Sequence, residues 1–90
     1  MSTRILNPEA IRDFAGRLRQ FTTETRQGIN DLGARLRDLG DTEWADETQR
    51  QYMQEFETAV RQMMRAIEEF DNEQSRRLEG LAQQAEQVSY

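Results

Sequence analysis

The chain has 90 residues, enough for one small domain, and its formal net charge is −5. An acidic chain disfavours nucleic-acid binding, because phosphate recognition needs a basic surface. Cysteine and histidine are both absent, which excludes disulfides, the common zinc sites and the usual catalytic bases and nucleophiles. We therefore expect no enzymatic activity, no cofactor and no metal. No apolar run is long enough to span a membrane.

The first predicted element is a helix over about residues 8–39. Asn7 and Pro8 are typical of a helix start, since Asn caps free backbone amides and Pro fits the first helical position. Apolar residues then recur at steps of three and four, the pattern of a helix that packs along one stripe. The residues before this helix, 1–6, are expected to be disordered, as are the last few of the chain. The stripe comprises Ile11, Phe14, Leu18, Phe21, Thr25, Ile29, Leu32, Leu36 and Leu39.

The segment 39–46 separates the two helical patterns and contains the only tryptophan, Trp44. Gly40 suits the left-handed position just past a helix end. Asp41 or Thr42 can then cap the next helix. Trp44 is expected to cover the open end of the helix pair, to act as a recognition residue, or both.

The second predicted helix covers about residues 43–88. Folded antiparallel about Gly40–Thr42, the hairpin brings Pro8 level with about Arg76 and leaves residues 77–90 without an internal partner. The second stripe comprises Met53, Phe56, Val60, Met63, Ile67, Phe70, Gln74, Leu78, Leu81, Ala85 and Val88, flanked by Met64.

The apolar positions are too broad for one contact line between two helices, and a chain this short buries a limited core. We therefore predict an all-α hairpin that dimerises into a four-helix bundle. The residues expected to hold the hairpin or the dimer are Phe14, Leu18, Phe21, Ile29, Leu32, Leu36, Val60, Met63, Met64, Ile67 and Phe70.

Two helices joined by a tryptophan-containing turn, in a cysteine-free chain of this length, resemble the WxG family. These are the small ESAT-like helical hairpins that bacterial type VII systems secrete. The family's Trp-x-Gly falls on Trp44-Ala45-Asp46, with Asp where Gly is usual and a carboxylate added that can cap a helix. Tyr52 and Phe56 stand where the family places an aromatic residue after the tryptophan. The resemblance implies that Trp44, Asp46, Tyr52 and Phe56 recognise a partner.

The resemblance also implies a function: a non-enzymatic secreted substrate or small component of a type VII-like system, paired with itself or a related hairpin. A secretion ATPase or a larger exported protein would then be a further partner. The N-terminal sequence lacks the apolar core of a cleavable signal peptide, so export would use a route that does not read one.

The Tyr-x-x-x-Asp/Glu export signal of such proteins has no match in this sequence. Either a partner supplies the signal, or the hairpin stays in the cytoplasm as an adaptor or chaperone for a larger exported protein. A third hypothesis is a structural subunit that polymerises through its overhanging C-terminal helix.

Overall fold

The computed structural model describes residues 7–88, which form two α-helices joined by a short bend. Helix α1 spans Pro8–Thr42 and helix α2 spans Glu47–Val88. They run antiparallel, since Arg12 contacts Glu79 at one end and Gln49 reaches the carbonyl of Leu36 at the other. The rod measures 66 × 22 × 18 Å. The predicted two-helix hairpin is confirmed. The expected disorder of residues 1–6 and of the C-terminal residues concerns positions outside the described range.

Helix α1 begins as its sequence predicts. The side-chain oxygen of Asn7 accepts hydrogen bonds from the backbone N–H groups of Glu9 at 3.0 Å and Ala10 at 3.2 Å. Pro8 occupies the first helical position, where a missing N–H costs nothing. The cap therefore satisfies amides that would otherwise lack a partner.

Helix α1 ends three residues later than its predicted end at about residue 39. The helix continues to Thr42, and Gly40 lies inside it with no positive φ. Instead of adopting a turn conformation, the glycine leaves room for the side chain of Gln49. A Cβ built on Gly40 would lie 2.8 Å from Cδ of Gln49, closer than real Cβ contacts allow.

Helix α2 begins four residues after its predicted start at about residue 43, and the predicted cap at Asp41 or Thr42 is wrong. Both of those residues belong to α1, and α2 begins at Glu47. Asp46 is the cap, because its carboxylate accepts the backbone N–H of Gln49 at 2.9 Å. The capping acid expected at the motif's third position is present.

The hairpin is paired further along α2 than predicted. Arg12 forms ion pairs with Glu79 and Glu86, and Ala82 and Ala85 are buried. The bend at 43–46 lies beyond Gly40–Thr42, so each residue of α1 faces a later residue of α2. The expected unpaired segment after Arg76 is therefore contradicted up to Glu86.

The interior of the hairpin is thin and partly polar. Among residues 7–87, the buried apolar side chains are Ile29, Ala82 and Ala85, and Thr22 and Gln49 are buried as well. The Thr22 hydroxyl lies 3.3 Å from a carboxylate oxygen of Asp71 across the interface. A core this small leaves most of the large apolar side chains outside it.

Candidate protein-interaction site

The bend that carries Trp44 is fixed by hydrogen bonds on both sides. The carbonyl of Leu39 accepts the N–H groups of Glu43 at 2.9 Å and Trp44 at 2.7 Å. On the other side, the carboxylate of Asp46 holds the first turn of α2 through Gln49. The tryptophan is thus presented on a four-residue bend whose two ends are anchored.

Trp44, Tyr52 and Phe56 form an aromatic row that runs from the bend along α2. The rings of Trp44 and Tyr52 are stacked with centroids 6.3 Å apart, and those of Tyr52 and Phe56 are tilted at the same separation. Both distances suit favourable aromatic pairs. Trp44 and Phe56 are half-buried, whereas Tyr52 is 46% exposed. The structure therefore brings three of the four sequence-predicted recognition residues into contact, with Asp46 capping the same helix.

A second feature is a set of large apolar side chains that the hairpin leaves exposed, from 36% for Leu39 to 61% for Phe21. On α1 they recur at steps of 7, 11 and 7 residues, and on α2 at steps of 11, 7 and 11. After either step, the next side chain points within about 20° of the previous one around the helix axis. Each helix thus carries one straight stripe. We call the set the apolar face: Phe14, Phe21, Leu32 and Leu39 of α1, with Tyr52, Met63, Phe70 and Leu81 of α2.

The two stripes lie on the same side of the hairpin. Phe21 and Phe70 line one shallow groove, together with Thr25 and Ala66. Each stripe keeps its direction along its helix. The groove that Phe21 and Phe70 share therefore places all eight side chains on one side of the hairpin. Tyr52 belongs both to the apolar face and to the aromatic row, so the two features are continuous at the bend.

The residues predicted to hold the hairpin or the dimer divide into two groups. Those that turn toward the opposite helix, and are buried or half-buried, are Leu18, Ile29, Leu36, Val60, Met64 and Ile67. Those that remain exposed on the apolar face are Phe14, Phe21, Leu32, Met63 and Phe70.

At the open end of the hairpin, where α1 begins and α2 ends, ion pairs connect the two helices. The guanidinium of Arg12 pairs with Glu86 and with Glu79, the latter at 3.4 Å. The hydrogen bond with Glu86 and then that with Glu79 raise the pKa of Arg12 above its usual value. All three side chains are well exposed, so the pair orients the helix ends more than it stabilises them.

Sequence reasoning missed Gln49 and did not identify the residue that packs against Gly33. Gln49 is buried, and its amide donates to the carbonyl of Leu36 at 3.4 Å. Its position four residues before Met53 continues the apolar stripe, and that spacing was the available signal. Gly33 lies opposite Phe56, whose Cε1 would be 3.8 Å from an added Cβ. A glycine inside a helix indicates close packing against a bulky side chain but does not show which one.

The described residues present an apolar face and an aromatic row to their surroundings. Within the range 7–88, no three acidic side chains come together in the way a metal ion requires. In the same range, neither helix has a segment apolar enough to cross a lipid bilayer. The arrangement is suited to binding another protein.

A helical hairpin with a tryptophan at its bend and one apolar face defines a class of small protein-binding proteins. Residues 5–89 match the profile of the WXG100 family, described as proteins of 100 residues with WXG. The match covers nearly the whole sequence, so the chain belongs to the WXG100 family, the small ESAT-like proteins associated with type VII secretion. Searches of curated proteins and of solved structures returned no match. The resemblance drawn from Trp44-Ala45-Asp46 is thereby confirmed.

Proposed function

We propose that this protein is a secreted substrate or small component of a bacterial type VII secretion system and acts as a non-enzymatic dimer. The apolar face holds the second hairpin, and the aromatic row at the bend meets a secretion ATPase or another protein. The observation that supports this most strongly is the apolar face itself. Every large hydrophobic side chain exposed in the described part of the chain belongs to it.

The surface area supports an obligate partner. The chain exposes 7411 Å². A compact monomer of its mass, 10.6 kDa, would expose about 5,500 Å². The excess arises because two helices bury only one line of contact. A second hairpin laid along the apolar face would give four helices around a common core, the arrangement of a four-helix bundle.

The aromatic row supports a separate role for the bend. An indole that only closed the hairpin would need no further exposed aromatic ring beside it. Here Tyr52 is stacked on Trp44 and remains 46% exposed. Exposed aromatic side chains with few rotatable bonds are common anchors of protein interfaces.

Export is proposed to proceed as a pair. A related hairpin that carries a Tyr-x-x-x-Asp/Glu signal would bind the apolar face and take the chain with it. The same apolar face would serve an alternative function. A cytoplasmic adaptor or chaperone would use the apolar face to bind a helical region of a larger exported protein.

The polymerising subunit is not proposed. That hypothesis relied on an unpaired C-terminal segment, whereas Arg12 pairs with Glu79 and Glu86 near the end of α2.

A secretion assay tests the proposal. The chain is followed in the culture medium and in the cells of its host, with and without the secretion ATPase. We expect it in the medium only when the ATPase is present, and Phe21→Glu to reduce export strongly. Thr23→Glu, which changes an exposed residue outside the apolar face, is the matched control and should leave export unchanged. Retention in cells, bound to a larger exported protein, would instead establish the adaptor function.

A further inference from the structure

The hairpin has a second groove between its helices, distinct from the apolar face. It has a volume of about 210 Å³, and its apolar walls include Leu36, Met53, Phe56 and Val60. Gly33 lies on the α1 side of this groove, and a side chain there would fill part of it. The groove is therefore a pocket left by a missing side chain at one position.

The rim of the groove that carries Arg37 and Arg61 lies on the side opposite the apolar face. Arg37 and Arg61 both line it. Each stands two residues before a member of the apolar face, Leu39 and Met63 respectively. Two residues correspond to about 200° of rotation around a helix, which places the arginines on the far side. A partner hairpin on the apolar face would leave this groove open.

The rim of the groove carries two guanidinium groups in a chain whose net charge is −5. Within the described residues, neither Arg37 nor Arg61 forms an ion pair, and Arg61 donates one hydrogen bond to Thr58. Nη1 of Arg37 lies 3.8 Å from the position of an added Cβ on Gly33, as does Cε1 of Phe56. Without a side chain at Gly33, a guanidinium group and an aromatic edge both border the mouth of an apolar pocket.

We propose that this groove is a docking site for a helical segment of a partner protein, one that presents a large apolar side chain flanked by carboxylates. The apolar walls take the side chain, and Arg37 and Arg61 pair with the carboxylates. Glu57 lies on the same rim, and its carboxylate would repel a docking segment that carries more than a few acidic residues. A helix is the shape that fits, because the groove runs between two long ridges of side chains. The inference does not depend on dimer formation through the apolar face.

Four synthetic helical peptides of about 20 residues test this proposal on the full chain. They differ only at one anchor, Phe or Ala, and at its flanking pair, Glu or Arg. Binding is measured by fluorescence anisotropy, and its position by shifts of backbone amide resonances. We expect the Phe/Glu peptide to bind most tightly, to weaken with added salt, and to shift resonances around Gly33 and Val60. Equal binding of the Glu and Arg peptides, or no binding by any peptide, would overturn the proposal.

Variants distinguish this groove from other surfaces. Gly33→Leu fills it and should abolish binding, whereas Gly16→Leu, the same change at an open position of the same helix, should preserve binding. Arg37→Gln and Arg61→Gln leave the walls intact and should weaken the Phe/Glu peptide several-fold. Circular dichroism shows whether each variant is folded. If both leucine variants bind alike, the peptide lies elsewhere. If Gly33→Leu changes the oligomeric state, the occupant is a second copy and the proposed partner is wrong.

Discussion

The side-chain amide of Gln49 lies directly against Gly40, in the last turn of α1. Cδ of Gln49 would be 2.8 Å from a Cβ on Gly40, and its Nε2 donates to the carbonyl of Leu36 at 3.4 Å. Gln49 is 4% exposed, so its amide has little room to move away. The missing Cβ of Gly40 therefore provides the space that the Gln49 amide occupies beside the bend.

Gly40→Ala should therefore gain less stability than a glycine replacement in an open helix position. Replacing glycine by alanine in a helix stabilises by about 0.5–1 kcal/mol. At Gly40 we expect this gain to be offset by loss of the Gln49 hydrogen bond, worth about 1 kcal/mol. Gly16→Ala, with nothing near the added Cβ, is the control and should show the full gain. Urea denaturation measures both.

A double-mutant cycle shows whether Gln49 causes the smaller gain in stability at Gly40. In a Gln49→Ala background the amide is absent, and Gly40→Ala should then stabilise as much as Gly16→Ala does. A deficit at position 40 that persists without Gln49 would show that another contact is responsible.

Asp46→Ala should destabilise the hairpin by about 1 kcal/mol, because an N-cap is lost. Asp46→Asn should retain most of the stability, and Asp46→Gly should cost only a few tenths. Asp41→Ala is the control, since Asp41 lies in α1 and caps nothing in the described structure. Thermal unfolding of the four variants gives the comparison, and equal losses at positions 41 and 46 would argue against Asp46 as the cap.

Trp44→Ala should remove the stacking on Tyr52, worth about 1 kcal/mol, without removing either helix. We expect far-ultraviolet circular dichroism to change little while partner binding or export falls sharply. Trp44→Phe keeps a ring at the bend and should restore part of both. If helicity collapses together with binding, the indole serves the fold alone.

Thr22→Val should destabilise by about 1 kcal/mol, because it removes a buried hydroxyl that donates to the carbonyl of Arg19 at 2.9 Å and lies 3.3 Å from the carboxylate of Asp71 across the interface. Replacing both residues, as Thr22→Val with Asp71→Leu, should recover most of that loss. Chemical denaturation of the two single variants and the double variant measures the coupling. Purely additive losses would mean that the two side chains do not interact.

Helix type and the helix start at Asn7 could be predicted, because cap chemistry and a three-four apolar spacing are local signals. The bend was misplaced by three or four residues. Glycine is a common residue type at helix ends, which is why Gly40 was expected there. In the structure its missing side chain makes room for Gln49, nine residues later. A contact between distant residues overrides local preference, and no short window of sequence contains it.

The interaction surfaces were predictable only in part. The motif identified Trp44 and its aromatic neighbours, since their spacing is itself a sequence feature. Periodicity showed that the apolar positions were too many for one contact line. It did not separate Phe21, which stays exposed, from Ile29, which is buried, because the two lie only about 80° apart on the helix. The second groove depends on Gly33 facing Phe56, which only the hairpin register reveals.

Sedimentation equilibrium of the purified chain at micromolar concentration shows whether the apolar face holds a second copy. We expect a particle of twice the 10.6 kDa chain mass. Phe21→Glu should convert it to single chains, and Thr23→Glu should leave it paired. A wild-type chain that sediments as a stable 10.6 kDa monomer would contradict the claim that the apolar face holds a second copy.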